Sequence, residues 1–104
     1  TVNTFGKGKC YYIGCDLNED GTEALLNHIL QECGVSPALK NMPKGVEVVK
    51  KTTEKGEDFY YMVNFSKEKQ KVELPFEAMD IAAGTKIGKT VELAAYDCAV
   101  FKKA

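Results

Sequence analysis

Asp58-Phe-Tyr-Tyr-Met-Val-Asn-Phe65 decides the fold: Phe59, Tyr61, Val63 and Phe65 recur at every second position, the two-residue period of a β-strand. Working outward, Val46-Glu-Val-Val-Lys-Lys51 reads as a second strand, and Glu54-Lys-Gly-Glu-Asp58 is turn chemistry between the two, so residues 46–65 are expected to form a hairpin. Further along, Gln70-Lys-Val-Glu-Leu74, Ala78-Met-Asp-Ile81, Thr90-Val-Glu-Leu93 and Cys98-Ala-Val-Phe101 are short apolar runs. Pro75, the glycines 84 and 88, and Ala94 to Asp97 separate them. Strands arriving every eight to twelve residues with turns between them indicate an antiparallel β-sandwich or small barrel.

Toward the N-terminus the pattern changes. Lys9-Cys-Tyr-Tyr-Ile-Gly-Cys15 reads as a buried strand, with Thr1 to Phe5 as a candidate partner. A helix follows: Asp20, Gly21 and Thr22 are start residues, Glu23 stands three positions after Asp20 as in a capping box, and Gly34 sits where a terminating glycine belongs. Leu25, Leu26, Ile29, Leu30 and Cys33 recur at three- and four-residue steps and make one face apolar. One strand and one amphipathic helix do not close a core, so this piece reads as an incomplete unit. Pro37 and Pro43 bracket an aperiodic stretch. The expected organisation is a strand-helix piece at 1–36, a linker at 37–44 and an antiparallel β-sandwich at 45–104. In class terms it is mainly β with one helix (α+β).

Composition narrows the chemistry. In 104 residues there are 14 lysines, no arginine and 15 acids, for a net charge of −1, which offers no phosphate-reading surface and argues against nucleic acid. No apolar run reaches the roughly 18 residues needed to span a bilayer. The four cysteines, Cys10, Cys15, Cys33 and Cys98, have apolar neighbours and read as reduced, largely buried thiols of an intracellular protein. A zinc site built from them, with or without His28, is the sharper alternative, but no C-x-x-C knuckle is present. Glu47, Glu73 and Glu92 are single acids in alternating strands, Asp80 between Met79 and Ile81 should point outward too, and no pair suggests a cleft with an acid and a base. His28, at the edge of the apolar helix face, reads as partly exposed or packed at an interface. Gly6-Lys-Gly-Lys9 precedes a strand, and so reads as a hairpin turn and not as a phosphate loop. Tyrosines 11, 12, 60, 61 and 96 could stack on sugars in a carbohydrate-binding module. In each adjacent pair one ring faces in and one out, which leaves Tyr12 or Tyr11 and Tyr60 as scattered exposed rings, with Tyr60 either a sugar platform or an interface ring.

The order of segments resembles a known family. Gly6-Lys-Gly-Lys-Cys-Tyr-Tyr-Ile-Gly14, a helix ending in Cys33-Gly-Val35, Pro43-Lys-Gly-Val-Glu-Val48, Phe59-Tyr-Tyr-Met-Val-Asn-Phe65, Val72-Glu-Leu-Pro75 and Ala95-Tyr-Asp-Cys-Ala-Val-Phe101 are together similar to the C-terminal end of bacterial β-galactosidases of glycoside hydrolase family 42. The resemblance implies that residues 1–36 are the end of the middle, trimerisation domain and that 45–104 are the terminal sandwich. It also implies that the catalytic glutamates lie on a barrel wholly upstream of Thr1. The function it implies is a non-catalytic structural domain of a cytoplasmic glycosidase, with no catalytic, cofactor-binding or metal residues of its own and the rest of the parent chain as partner. Leu26, Ile29, Leu30 and Tyr60 are the candidate interface residues: the three helix residues are expected to dock on the sandwich or to self-associate, and Tyr60 to cover a neighbouring domain. The alternative is an independent carbohydrate- or protein-binding β-sandwich module.

Overall fold

A computed structural model describes all residues, 1–104, as two compact units, Thr1–Ser36 and Pro37–Ala104. In the first, strands β1 (Val2–Phe5) and β2 (Gly8–Tyr11) pair antiparallel, and helix α1 (Glu19–Glu32) follows. Gly6 takes a left-handed φ of 58° in the connecting turn, so Gly6 to Lys9 is part of a hairpin, as its position before a strand implied. The helix starts earlier than Asp20. Asn18 is the N-cap, its Oδ1 accepting from the Gly21 amide at 2.8 Å. Glu19 and Asp20 therefore fall in the first turn, where carboxylates face the positive end of the helix dipole. At the other end Cys33 is the C-cap and Gly34 adopts φ 69°, the usual left-handed exit.

No residue of this first unit is fully buried. The strand expected to be buried at 9–15 is therefore corrected: it stops at Tyr11 and is exposed but for that last residue. A two-stranded ribbon has no second layer to cover it.

The second unit has five strands, β3 (Val46–Thr52), β4 (Asp58–Asn64), β5 (Gln70–Asp80), β6 (Lys86–Leu93) and β7 (Cys98–Lys103). All neighbours pair antiparallel in the order β3-β4-β7-β5-β6. The two runs separated by Pro75 are one long strand, β5, whose register with β6 shifts between Glu73 and Ala78; the irregularity accommodates a proline that has no amide to give. The sheet bends over itself. Its inner face closes a single core of Val46, Tyr60, Met62, Val72, Leu74, Ala78, Val91, Leu93 and Phe101. Residues 37–44, expected as a linker, belong to this unit, with Leu39 only 6% exposed in the core and Met42 packed against it. The segment between Pro37 and Pro43 bends at 38–41, with Asn41 at a left-handed φ of 59°, and this turn brings Leu39 into the core.

The largest departure is at β4. Tyr60 and Met62 point inward at 8% and 0% exposure, so the face expected to be buried, Phe59-Tyr61-Val63-Phe65, is the outer one. The Tyr60 ring stacks on Phe101 at 5.5 Å with 7° between planes and meets Phe76 at 5.2 Å. Asn64 shares this inward parity and is fully buried.

Candidate functional site

Catalysis by carboxylates needs at least one with a raised pKa, held in a cleft. The structure arranges its acids otherwise. Glu32, in the last turn of α1, accepts from Lys9 Nζ at 2.6 Å and from the Tyr11 hydroxyl, and His28 Nε2 lies 3.7 Å away. The hydrogen bond from Lys9, followed by that from Tyr11, pulls the Glu32 carboxyl below its ordinary value. The same bonds push Lys9 and Tyr11 upward. Glu92 is likewise lowered, by Lys69 at 2.6 Å. Both carboxylates are thus held ionised by lysines, the opposite of what a proton-donating acid requires.

The Glu32 cluster ties the hairpin to the helix: Lys9 and Tyr11 project from one side of β2, and His28 and Glu32 stand one turn apart on α1. The Tyr11 and His28 rings meet edge to face at 6.2 Å. Beside them lies a hollow of about 320 Å³ bordered by Lys9, Tyr11, Ile29 and Cys33. Nothing in the sequence drew attention to Glu32; its position four residues after His28 on the side facing a lysine was the available signal.

The thiols are corrected as well. All four cysteines are free and exposed, because the first unit has no interior and Cys98 stands at the outward parity of β7, opposite Val63. No three His, Cys, Asp or Glu side chains gather in a geometry that could hold a metal ion.

An open groove of about 720 Å³ runs between the 37–43 segment and the first half of β5, bordered by Pro37, Leu39, Asn41, Lys71, Glu73 and Pro75. No aromatic ring lines it, so the stacking surface that a pyranose-binding site uses is missing there. Tyr12, Tyr61 and Tyr96 are exposed, at 70%, 41% and 66%. Of the candidate interface residues, Leu26 and Leu30 are exposed at 53% and 43%, Ile29 is half-buried, and Tyr60 is withdrawn into the core. Leu17, Leu26 and Leu30 together border a shallow apolar hollow on α1.

Comparison with known proteins gives a consistent picture. A family model described as the β-galactosidase C-terminal domain matches residues 45–103. The β-galactosidase LacA of Lactobacillus acidophilus is 36% identical over 93 residues, which cover 88% of this chain and 14% of that protein. The β-galactosidase LacZ of Heyndrickxia coagulans is 35% identical over 103 residues, covering 98% and 15%. Among solved structures, a GH42 β-galactosidase from G. stearothermophilus, Gan42B, superposes with a TM-score of 0.84 at 30% identity, over 98% of this chain and 15% of that one. A β-galactosidase from Bacillus circulans sp. alkalophilus superposes with a TM-score of 0.83 at 26% identity. The chain therefore spans only about one seventh of the length of the relatives it matches.

Proposed function

Because the chain belongs to the family 42 β-galactosidases, in the stretch formed by their C-terminal domain, we propose that it is a non-catalytic packing domain of a larger enzyme that hydrolyses terminal β-galactosides. The observation that carries the reading is the coincidence of full-length similarity to this chain with coverage of only 15% of the Heyndrickxia coagulans relative. The lysine-held carboxylates and the shallow, ring-free groove support it from the side of chemistry.

Residues 1–36 fit the same reading as the end of the preceding domain: a helix with Leu26 and Leu30 in the open is what remains when the elements that cover it lie elsewhere. Packing of that face on the parent chain, or on a second copy, is the role we assign it. The four free thiols support a reducing, cytoplasmic setting.

Two measurements test the proposal. Tracing the reading frame upstream of Thr1 and weighing the native product should give a protein several times larger than 11.5 kDa. Incubating the purified 104-residue chain with an aryl β-galactoside should release no phenol above a buffer control; turnover above that control overturns the non-catalytic assignment.

A further inference from the structure

Strand β4 is apolar on both sides. Tyr60 and Met62 enter the core, yet the outward residues Phe59, Tyr61 and Val63, continued past the strand by Phe65, carry no charge either. An antiparallel strand with one wet face ordinarily alternates apolar with polar, and continuous apolar character belongs to strands covered on both sides. Cross-strand register extends the apolar surface sideways. Val49 lies opposite Tyr61, Tyr61 opposite Val100, and the Ile81 amide donates to the Val100 carbonyl at 3.0 Å. The result is a row, Val49-Tyr61-Val100-Ile81, across three strands and the turn that follows β5, with Val49, Tyr61 and Ile81 exposed at 53%, 41% and 38%.

The other end of the same outer face is built differently. There Lys71 pairs with Glu92 and Glu73 with Thr90. Lys69 bonds Glu92 at 2.6 Å, and the Thr90 hydroxyl donates to Glu73. One end of the outer face is thus made for water and the other is not. Single exposed apolar residues need no explanation, but a contiguous row does. Charges rim that row, as they rim protein interfaces: Lys51 Nζ is 5.6 Å from the Tyr61 ring centre and Lys102 Nζ is 6.0 Å from that of Phe59.

We infer that the outer face of the β3-β4-β7 end, centred on Tyr61, is the surface on which the remaining part of the parent β-galactosidase chain packs. The inference rests on the reading that this chain is a domain of a longer enzyme. The occupant follows from length and chemistry. The chain is 14–15% of its relatives, so most of such an enzyme lies outside it and is available as a partner. A flat row of aliphatic and aromatic side chains has none of the convergent polar groups that hold a sugar's hydroxyls.

Cys98 is the built-in probe, since it is exposed in this chain and pairs with Val63 on the face in question. In the full-length enzyme, alkylation of Cys98 by iodoacetamide, located by peptide mass, should be at least about tenfold slower than in the same enzyme unfolded in urea. Acetylation of Lys71 and Lys89, by contrast, should proceed at similar rates in both. Tyr61→Lys should restore Cys98 alkylation, whereas Glu73→Lys, at the solvated end, should leave it slow. Should Tyr61→Lys fail to fold, the wild-type comparison still decides. Native labelling within about twofold of the urea rate overturns the inference while leaving the parent-enzyme reading intact. Protection that appears only as protein concentration rises assigns the face to a second copy and also overturns it. A native product no larger than this chain ends the parent-enzyme reading itself.

Discussion

Asn64 shows how one side chain organises two loops. Fully buried on β4, it donates from Nδ2 to the carbonyls of Glu68 at 2.8 Å and Ala94 at 2.9 Å. Its Oδ1 accepts from the Ser66 amide at 2.9 Å and the Ser66 hydroxyl at 2.7 Å. An amide offers both donors and acceptor in one plane, which neither a carboxylate nor an aliphatic residue reproduces. Asn64→Leu leaves those partners unpaired in a closed site, and about 2–3 kcal/mol of stability should be lost. Asn64→Asp should be at least as damaging, since its carboxylate would face carbonyl oxygens. Urea unfolding followed by tyrosine fluorescence reads both variants. Gly45 is the second residue of this kind: at φ +88° its position is left-handed, and an added Cβ would stand 3.0 Å from the Ser66 Cβ. Gly45→Ala should therefore cost about 1–3 kcal/mol, visible as a lowered melting temperature. Neither residue was singled out in the sequence: Gly45 entered only as part of the Pro43 to Val48 motif, and Asn64 was hidden inside a run read for its apolar residues.

At the scale of elements, the clasp between β2 and α1 has a pH dependence of definite sign. The Glu32 carboxyl is lowered from 4.5 by the hydrogen bond from Lys9 and then that from Tyr11. A lowered acid contributes stability that is fully present above its unfolded value and is lost as pH falls through the folded one. Lys9 and Tyr11 are raised from 10.5 and 10.0, each chiefly by its hydrogen bond to Glu32. Their contribution is present below those values and is lost as pH rises beyond them. The clasp should hold between about pH 4.5 and 10 and weaken below the first and above the second. Because the groups are exposed, salt should weaken it. Backbone amide shifts of residues 29–34, followed by NMR against pH, should show both limbs, and Glu32→Gln should abolish the acid one. Secondary structure was largely legible here. The β3-β4 hairpin, the helix and its Gly34 exit follow from period and punctuation, because those signals are local. The joining of two runs into β5 and the buried Leu39 were not legible: a proline normally ends a strand, and only the pairing of β5 with β6 and β7 carries the chain across it.

At the scale of the molecule, the two units differ in what holds them. The second buries a core of ten apolar residues; the first buries none and depends on a hairpin, helix caps and the Glu32 cluster. A 36-residue piece without an interior is below the size at which burial alone sustains a fold. In hydrogen exchange of this chain, amides of β4, β5 and β7 should therefore persist while those of α1 exchange within the first time points. Equal protection of α1 would contradict that picture.

The sequence by itself determined the class of fold, because strand period, helix period, glycines and prolines act over a few residues and do not need the rest of the chain. It also determined the family, since the order of six short motifs survives in the linear text. Only the tertiary structure decided which side of each element meets the core. Alternation in 58–65 fixes that Tyr60 and Tyr61 face opposite ways, but both faces are apolar, so the residues alone cannot rank them. Phe101, Phe76 and the buried Asn64 settle it by giving Tyr60 a ring to stack on and its own side of β4 a polar anchor. That choice moves Tyr60 from the surface to the core and leaves the row through Tyr61 outside.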